Sequence, residues 1–250
     1  MSVQEIIIGL PAPAPLRLGE TALFLDLDGT LAPIAARPQD VLPDPRRTGL
    51  LQQLAQKLDN RLAVVSGRTL TDVDRILEGR VSSVAAVHGL IRRDPGGRIF
   101  GTSPHSRLGD AVHALREFAT RDAGLIVEEK AGLSVALHFR LAHRHAAAAR
   151  ACAHDLAAQT GLFLQEGDMV EELRTPGASK GDSVRAFMAQ MPFAVARPVF
   201  VGDDATDEDG FAAARDLGGF GVRVGPSRET AAEFRLTSVE AALAWLESSS

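Results

Sequence analysis

Cysteine is nearly absent from this chain, since Cys152 is the only one among 250 residues. A single cysteine excludes a framework of disulfides and a zinc ribbon built on cysteine ligands. Long apolar runs are missing as well. The run at residues 6–10 is far shorter than the ~20 residues needed to cross a bilayer, and the acidic Glu5 before it is wrong for a signal peptide. We therefore expect a cytoplasmic globular protein that does not contact the membrane.

The chain also lacks an excess of positive charge, because 27 Lys and Arg residues face 32 Asp and Glu residues and give a net charge of −5. Proteins that bind nucleic acids normally carry a basic surface, so this balance argues against such a partner. At 250 residues, with 45% of them apolar, the chain is long enough to form one large domain or two modest ones around a proper core.

Short apolar runs alternate with helical patterns over most of the chain. Three continuous apolar runs, at residues 22–25, 62–65 and 199–201, have the length of strands that are covered on both faces. Residues 46–58 place four leucines on one helical face, and a helical pattern returns after Ser179. Strands that alternate with helices in this way predict an α/β core with a parallel, Rossmann-like sheet.

The middle of the chain follows a different pattern. Residues 133–140 alternate between apolar and polar side chains, which is typical of a half-buried antiparallel strand, and residues 125–128 supply its hairpin partner. A helix rich in alanine, at about residues 143–159, leads to a second hairpin that turns at Gly167. These elements predict a small α+β unit.

This change of pattern predicts that one domain is inserted into another. Residues 103–177 would form an α+β cap. Residues 1–102 and 178–250 would form the α/β core that carries it.

The strongest chemical signal follows the first apolar run, where the sequence reads Asp26-Leu27-Asp28-Gly29-Thr30. Side chains of a strand repeat every two residues, so Asp26 and Asp28 can project to one side at the carboxyl end, where open α/β sheets bind ligands. Two carboxylates this close repel each other unless a cation lies between them. The alternative is an ordinary turn between a strand and a helix.

A second acidic group occupies residues 202–209, directly after the apolar run at 199–201. Two strands that both end in carboxylates would place several oxygen ligands at one sheet edge, which suits an octahedral Mg²⁺ that keeps some of its waters. For residues 207–209 the alternative is a solvated first turn of a helix, where acidic residues favour the helix dipole. Asp203 is less easily explained in that way.

Two further features have the chemistry of a phosphate site. In Ser66-Gly67-Arg68, which follows the run at 62–65, a hydroxyl and the N–H groups around a glycine can bind a phosphoryl oxygen. Lys180 stands at the predicted start of a helix, where a positive charge is unfavourable unless an anion offsets it. Each feature alone is ordinary turn chemistry. Together with the acidic motifs they place a carboxylate pair, a hydroxyl, a cation and metal ligands in one α/β core.

This order of motifs resembles that of the haloacid dehalogenase-like (HAD) phosphatases. The resemblance implies that Asp26 is a nucleophile that forms an aspartyl-phosphate, and that Asp28 is the general acid and base. It also implies that Ser66, Gly67 and Lys180 hold the phosphoryl oxygens. A covalent intermediate of this kind would split hydrolysis into two easier steps.

The same resemblance implies Mg²⁺ as the cofactor. Its ligands would be Asp26, the carbonyl group of Asp28, and Asp203, with Asp204 or Asp207 in support through water. The physical demands agree, because phosphoryl transfer depends on in-line positioning and on neutralised charge.

Residues 127–130, 138–140 and 171–174 of the inserted segment narrow the resemblance, together with residues 87–90 before it. These stretches resemble the trehalose-6-phosphate phosphatase family. The resemblance implies that Glu128, Lys130 and Glu172 bind sugar hydroxyls, with Arg68 as a further substrate contact. One departure is Thr175, which stands where the family has a proline. Without the resemblance, residues 128–130 also allow the reading of a solvated hairpin tip.

The activity implied by this resemblance is Mg²⁺-dependent hydrolysis of trehalose 6-phosphate to trehalose and phosphate. The partner would be a small-molecule sugar phosphate, with no nucleic acid and no membrane involved, and the protein would act as a monomer. One alternative is a HAD phosphatase for another sugar phosphate, such as a sucrose or glucosylglycerol phosphate. The other is a phospho-sugar sensor without turnover.

Overall fold

The computed structural model describes residues 9–249, so residues 6–8 of the short apolar run lie outside the described residues. The strands are β1 (Thr21–Leu25), β2 (Leu62–Val65), β3 (Ser83–Ala86), β4 (Ile91–Arg93), β5 (Ile99–Gly101), β6 (Ile126–Lys130), β7 (Ser134–His138), β8 (Phe163–Gly167), β9 (Val170–Arg174), β10 (Arg197–Gly202), β11 (Phe220–Val224) and β12 (Phe234–Leu236). The α-helices are α1 (Pro45–Lys57), α2 (Leu70–Leu77), α3 (Leu108–Ala119), α4 (Ala146–Thr160), α5 (Lys180–Met188), α6 (Glu208–Asp216) and α7 (Val239–Ser249). Within the described range, no helix is both long and apolar enough to span a membrane.

The larger sheet has eight strands in the order β12-β11-β10-β1-β2-β3-β4-β5. The six strands from β12 to β3 are parallel, and β4 and β5 add an antiparallel hairpin at one edge. The chain builds outward from β1 in both directions, so the carboxyl ends of β1, β2 and β10 lie side by side at the point where the strand order reverses. Open α/β sheets bind their ligands at that point. The predicted α/β class with a mostly parallel sheet is confirmed.

β1 lies near the centre of this sheet, which explains its continuous apolar sequence. All five of its residues are buried. Leu23 and Leu25 pack into a layer with α1, α2 and α7, whereas Phe24 packs into the opposite layer with α5 and α6. The other phenylalanines of that second layer are Phe187, Phe193, Phe200 and Phe211. A strand covered by helices on both faces has no solvent side, so its sequence shows no polar alternation.

A second sheet of four antiparallel strands, in the order β6-β7-β9-β8, lies within the segment predicted as the cap. Helices α3 and α4 contact this sheet and share a third apolar cluster with it. Both predicted hairpins are present. The domain boundaries at residues 103 and 177 stay a prediction.

β7 differs from the half-buried strand predicted from its alternating sequence. Its first four residues are buried, including Ser134 and Ala136 on the polar face. The prediction is wrong because β7 is a central strand whose polar face is also covered: Ser134 Oγ donates a hydrogen bond to Glu172 of the neighbouring β9.

Two local boundaries in the second sheet's surroundings also differ from the prediction. The helix expected over residues 143–159 begins as a 3₁₀ turn, His143–His145, before α4 starts. The second hairpin turns beyond Gly167, which is the last residue of β8, and Met169 in the turn has a φ of 59°.

Candidate active site

One cleft brings together most of the predicted site residues. It lies where the carboxyl ends of β1, β2 and β10 face the second sheet. The predicted residues that line it are Asp26, Asp28, Ser66, Gly67, Arg68, Glu128, Lys130, Glu172, Lys180, Asp203 and Asp204. Among the predicted residues, Asp207 is the exception, because it is fully buried beneath the cleft floor.

A buried lysine between two carboxylates forms the centre of the cleft floor. Lys180 Nζ donates hydrogen bonds to Asp26 Oδ1 at 2.8 Å and to Asp207 Oδ1 at 2.7 Å. Lys180 is the first residue of α5, whose start is fixed by a capping box between Ser179 and Asp182. The two carboxylates supply the negative charge that a lysine at a helix N-terminus requires.

Three acidic residues in and beneath the cleft floor fit a divalent cation. Asp26, Asp203 and Asp207 each offer an oxygen, and these oxygens all lie within 4.8 Å of one another. Burial, reinforced by the charge of Asp207, raises the pKa of Asp203 to about 7. Burial also raises the pKa of Asp26, although Lys180 opposes the effect. A hard cation would relieve this repulsion, and carboxylate oxygens are the ligands that Mg²⁺ prefers.

Gly29 is required for the close approach of Asp203 to the loop after β1. It has a φ of +82°, and a Cβ at this position would lie only 2.1 Å from Asp203 Oδ2. Any larger residue would therefore have to displace the carboxylate of Asp203.

Asp207 and Asp204 organise the loop after β10. Asp207 Oδ2 accepts hydrogen bonds from the backbone N–H groups of Asp203 and Asp204, both at 2.9 Å, while its Oδ1 is bound by Lys180. Asp204 accepts from the N–H of Ala205 and lines the cleft. The alternative of a solvated helix start does not hold for the buried Asp207, whereas the exposed Asp209 matches it.

Arg68 binds Asp28 in this structure. Its Nε and Nη2 donate to the two carboxylate oxygens of Asp28 at 2.6 and 2.7 Å, and its Nη1 donates to the carbonyl oxygen of Pro38 at 2.8 Å. Ser66 Oγ accepts a hydrogen bond from the N–H of Arg68 at 3.2 Å, which shapes the loop after β2. A two-pronged pair of this kind fixes the orientation of the carboxylate.

The side of the cleft formed by the second sheet, which we call the cap wall, consists of Glu128, Lys130, His138 and Glu172. Lys130 Nζ donates to Glu172 Oε2 at 2.5 Å, and His138 Nε2 lies 2.9 Å from Glu128 Oε2. Burial alone would raise the pKa of Glu172, but Lys130 and His88 hold it well below its ordinary range. The cap wall therefore presents paired, oriented charges.

The reading of residues 128–130 as a solvated hairpin tip is wrong for Lys130, which is only 7% exposed. Only Glu129 fits that reading, since it is exposed and pairs with Arg116 on the outer side of the sheet. The alternation along β6 places Glu128 and Lys130 on the cleft side.

Two histidines also line the cleft, His88 and His138, and the sequence motifs assign neither of them a role. His88 lies just after β3, a fourth parallel strand whose apolar sequence is like the runs at residues 22–25, 62–65 and 199–201. The sequence therefore contained the pattern that could have pointed to His88. His138 lies on the polar face of β7, but its pairing with Glu128 depends on the register of β6 and β7, which the sequence does not contain.

The comparisons with known proteins agree with this geometry. The trehalose-phosphatase family model matches residues 24–240. The trehalose-6-phosphate phosphatase of Escherichia coli strain K12 is 39% identical over 229 residues, which cover 90% of this chain and 85% of that protein. The C-terminal domain of the trehalose-6-phosphate phosphatase of C. albicans, 20% identical, has the same fold with a TM-score of 0.83 over 95% of this chain and 97% of that one.

A more distant relation shows how widely the fold is shared. A sugar phosphatase of HAD subclass IIB, 12% identical, superposes with a TM-score of 0.59 over 88% of this chain and 94% of its own. The family match and the fold agree, so the chain belongs to the trehalose-phosphatase family and is a phosphoric monoester hydrolase, and its fold is the one seen in that HAD sugar phosphatase.

Proposed function

We propose that the protein is a cytoplasmic, monomeric, Mg²⁺-dependent phosphatase that hydrolyses trehalose 6-phosphate to trehalose and phosphate. The observation that carries the proposal is the juxtaposition of two buried ion pairs across one cleft. The pair of Asp26 and Lys180 suits a phosphoryl group, and the pair of Lys130 and Glu172 suits sugar hydroxyls. The name of the relative from Escherichia coli supports the same substrate.

In the first half of the proposed reaction, a carboxylate oxygen of Asp26 attacks phosphorus. The bond from phosphorus to the sugar oxygen breaks, and Asp28 gives its proton to that oxygen, so trehalose leaves and an aspartyl-phosphate remains. Lys180, Ser66 and the backbone at Gly67 hold the other phosphoryl oxygens. Buried donors that are already in place cost little reorganisation when charge shifts in the transition state.

In the second half, water attacks the phosphorus of the aspartyl-phosphate and Asp28 takes its proton. The bond to Asp26 breaks, which releases phosphate and restores both carboxyl groups to their starting states. Both oxygens of Asp28 accept hydrogen bonds from Arg68 in this structure. Asp28 must therefore turn from Arg68 to reach the sugar oxygen or the water. Arg68 would then bind Asp28 in the free enzyme and the substrate in the complex.

A bound Mg²⁺ would neutralise negative charge on the phosphoryl group. The residues proposed to hold it are Asp26, Asp28 through its carbonyl group, and Asp203, with Asp204 at the margin. We assign Asp207 a supporting role, because its two oxygens already accept three hydrogen bonds.

A panel of sugar phosphates tests the substrate directly. Phosphate release would be measured with trehalose 6-phosphate, sucrose 6-phosphate, glucose 6-phosphate and a glucosylglycerol phosphate, each with Mg²⁺ and with a chelator. We expect kcat/KM to be highest for trehalose 6-phosphate by at least about tenfold, because a site built around hydroxyls leaves its polar groups unpaired with other sugars. Faster phosphate release from another sugar phosphate of the panel would refute trehalose 6-phosphate as the substrate. No phosphate release from any of them would favour the alternative of a phospho-sugar sensor without turnover.

Variants of the cap wall should affect the sugar substrate selectively. Lys130→Met is expected to lower kcat/KM for trehalose 6-phosphate by about 100-fold, since it removes a buried charged donor and leaves Glu172 without its main partner. Release from p-nitrophenyl phosphate, which has no sugar, should fall much less. Glu129→Gln is the matched control on the same strand and should behave as wild type. Equal losses on both substrates would contradict a sugar-binding role.

The raised pKa of Asp203 predicts that metal binding depends on pH. In the metal-free protein the folded state holds this proton more tightly than the unfolded chain, so its charge destabilises the fold as pH rises from the ordinary 3.8 to about 7. Below about pH 7 the proton on Asp203 of the folded protein competes with the cation. The rise in unfolding temperature caused by Mg²⁺ should therefore be larger at about pH 8 than at about pH 5.

Asp203→Asn is the control for this measurement, since it should remove most of the Mg²⁺ effect at both pH values. A shift in unfolding temperature that is equal at the two pH values in the unaltered protein would show that Asp203 does not compete for the metal.

A further inference from the structure

His88 is a histidine with 12% of its side chain exposed that contacts both halves of the cleft and has no part in the reaction proposed above. Its backbone N–H donates to the carbonyl oxygen of Ser66 at 3.0 Å. Its ring packs against Gly67, because a Cβ at that position would lie 2.5 Å from both Cε1 and Nε2 of the ring. On the other side, Nε2 lies 3.4 Å from Oε2 of Glu172 on the cap wall.

The charges around His88 determine its hydrogen-bonding role. Burial lowers the pKa of His88 below its ordinary 6.5, although Glu172 opposes the effect. The imidazole is therefore neutral at neutral pH, while Glu172 is ionised. An ionised carboxylate only accepts hydrogen bonds, so the proton is on Nε2, which donates to Glu172. Nδ1 is buried and has no hydrogen-bond partner among the described residues.

The backbone at this position is held in an unusual conformation. Val87 and His88 have φ angles of 48° and 56°, in the left-handed region that a β-branched residue rarely adopts. The N–H of Val87 donates to the carbonyl oxygen of Arg68 at 2.8 Å, so the turn is tied to the loop at residues 66–68 at two points. Strained backbone of this kind persists only where its surroundings fix it.

We infer that His88 is a positioning residue that sets the distance between the phosphoryl-binding loop and the sugar-binding carboxylate of Glu172. The inference rests on the proposed function. One side of His88 is fixed to Ser66 and Gly67, and the other donates to the oxygen of Glu172 that Lys130 also binds. Substrates whose phosphate and hydroxyls match this spacing engage both sites at once, and others lose one of them.

Two substitutions separate this role from a purely local one. The side-chain amide of His88→Gln reaches about as far as Nε2, so it can still donate to Glu172. The amide of His88→Asn reaches only as far as Nδ1, but asparagine adopts positive φ more readily than glutamine. If His88 merely shapes the turn, His88→Asn should retain more activity than His88→Gln. If His88 positions Glu172, His88→Gln should retain more activity than His88→Asn.

The readout is the ratio of kcat/KM for trehalose 6-phosphate to that for p-nitrophenyl phosphate. We expect this ratio to fall about tenfold in His88→Asn, mainly through KM, and to stay within about threefold of wild type in His88→Gln, because one hydrogen bond to a charged group is lost only in the first. The reverse order, or equal ratios in the two variants, overturns the inference.

A second measurement does not depend on the substrate. Urea unfolding of His88→Asn, Glu172→Gln and the double variant should give non-additive changes, since the two side chains interact. Additive changes overturn the inference even if the panel confirms trehalose 6-phosphate. If the changes in the variants are non-additive but the wild-type protein does not hydrolyse trehalose 6-phosphate, only the proposed substrate is refuted.

Discussion

Asp26→Asn is expected to abolish phosphate release, with a fall in kcat of about 10⁴-fold or more, as found when a covalent nucleophile is removed. An amide has nearly the shape of the carboxylate but is not a nucleophile toward phosphorus at neutral pH. It also carries no charge for Lys180 to balance. The far-ultraviolet circular dichroism spectrum should be unchanged, which shows that the chain still folds.

Asp209→Asn is the matched control for this variant. It makes the same chemical change at an exposed residue of the acidic run after β10, outside the cleft. Near-normal, metal-dependent release by Asp26→Asn would show that another residue attacks phosphorus. Loss of release by Asp209→Asn would show that the assay responds to charge in general.

Lys180→Met should affect stability and activity together. The substitution keeps the length of a side chain that is only 3% exposed but leaves Asp26 and Asp207 without their cation. Breaking a buried ion pair costs about 3–5 kcal/mol in the free energy of unfolding. Phosphate release should fall by about 10³-fold, because a positioned cation at the phosphoryl group is lost. Chemical denaturation and a phosphate assay measure the two effects.

The double variant Lys180→Met/Asp207→Asn separates the two losses. The second substitution removes the charge of Asp207, one of the two carboxylates that lose their partner in Lys180→Met. Part of the lost stability should therefore return, whereas activity should not. A Lys180→Met protein as stable as wild type would mean that the carboxylates do not need this cation. Recovery of activity in the double variant would mean that Lys180 serves only to balance Asp207.

The convergence of the core motifs was predictable from sequence for a simple geometric reason. Asp26, Ser66 and Asp203 each follow a continuous apolar run, and parallel strands place their carboxyl ends at one edge of a sheet. No knowledge of strand order was needed, because all strands of such a sheet end on the same side. The same rule applied to β3 would have drawn attention to His88.

The cap wall was less accessible to this reasoning. The alternation of residues 133–140 predicts a polar face that meets either solvent or the cleft, and in the structure His138 on the central strand β7 lines the cleft. Whether a polar face meets water or a second surface depends on what packs opposite, which is a property of the tertiary structure. Pairs such as His138 with Glu128 depend further on strand register.

The behaviour of Arg68 and Asp207 also depends on tertiary contacts. Arg68 was expected to contact substrate, and its guanidinium group binds Asp28 in this structure. Asp207 follows a turn at which the sequence equally allows a solvated acidic helix start, but it is buried under the loop that it supports. In both cases the residue type was informative, and the partner was set by the folding of distant segments onto it.

The most direct test of the account is to find the phosphoryl group on the enzyme. Asp28→Asn should be mixed with p-nitrophenyl phosphate and Mg²⁺, quenched in acid, digested and mapped by mass spectrometry. This leaving group needs no proton, whereas attack by water does need the base, so the phosphorylated enzyme should persist. We predict one added phosphoryl group on the peptide that contains Asp26. A phosphoryl group on another peptide, or burst release of p-nitrophenol with none on the enzyme, would contradict the account.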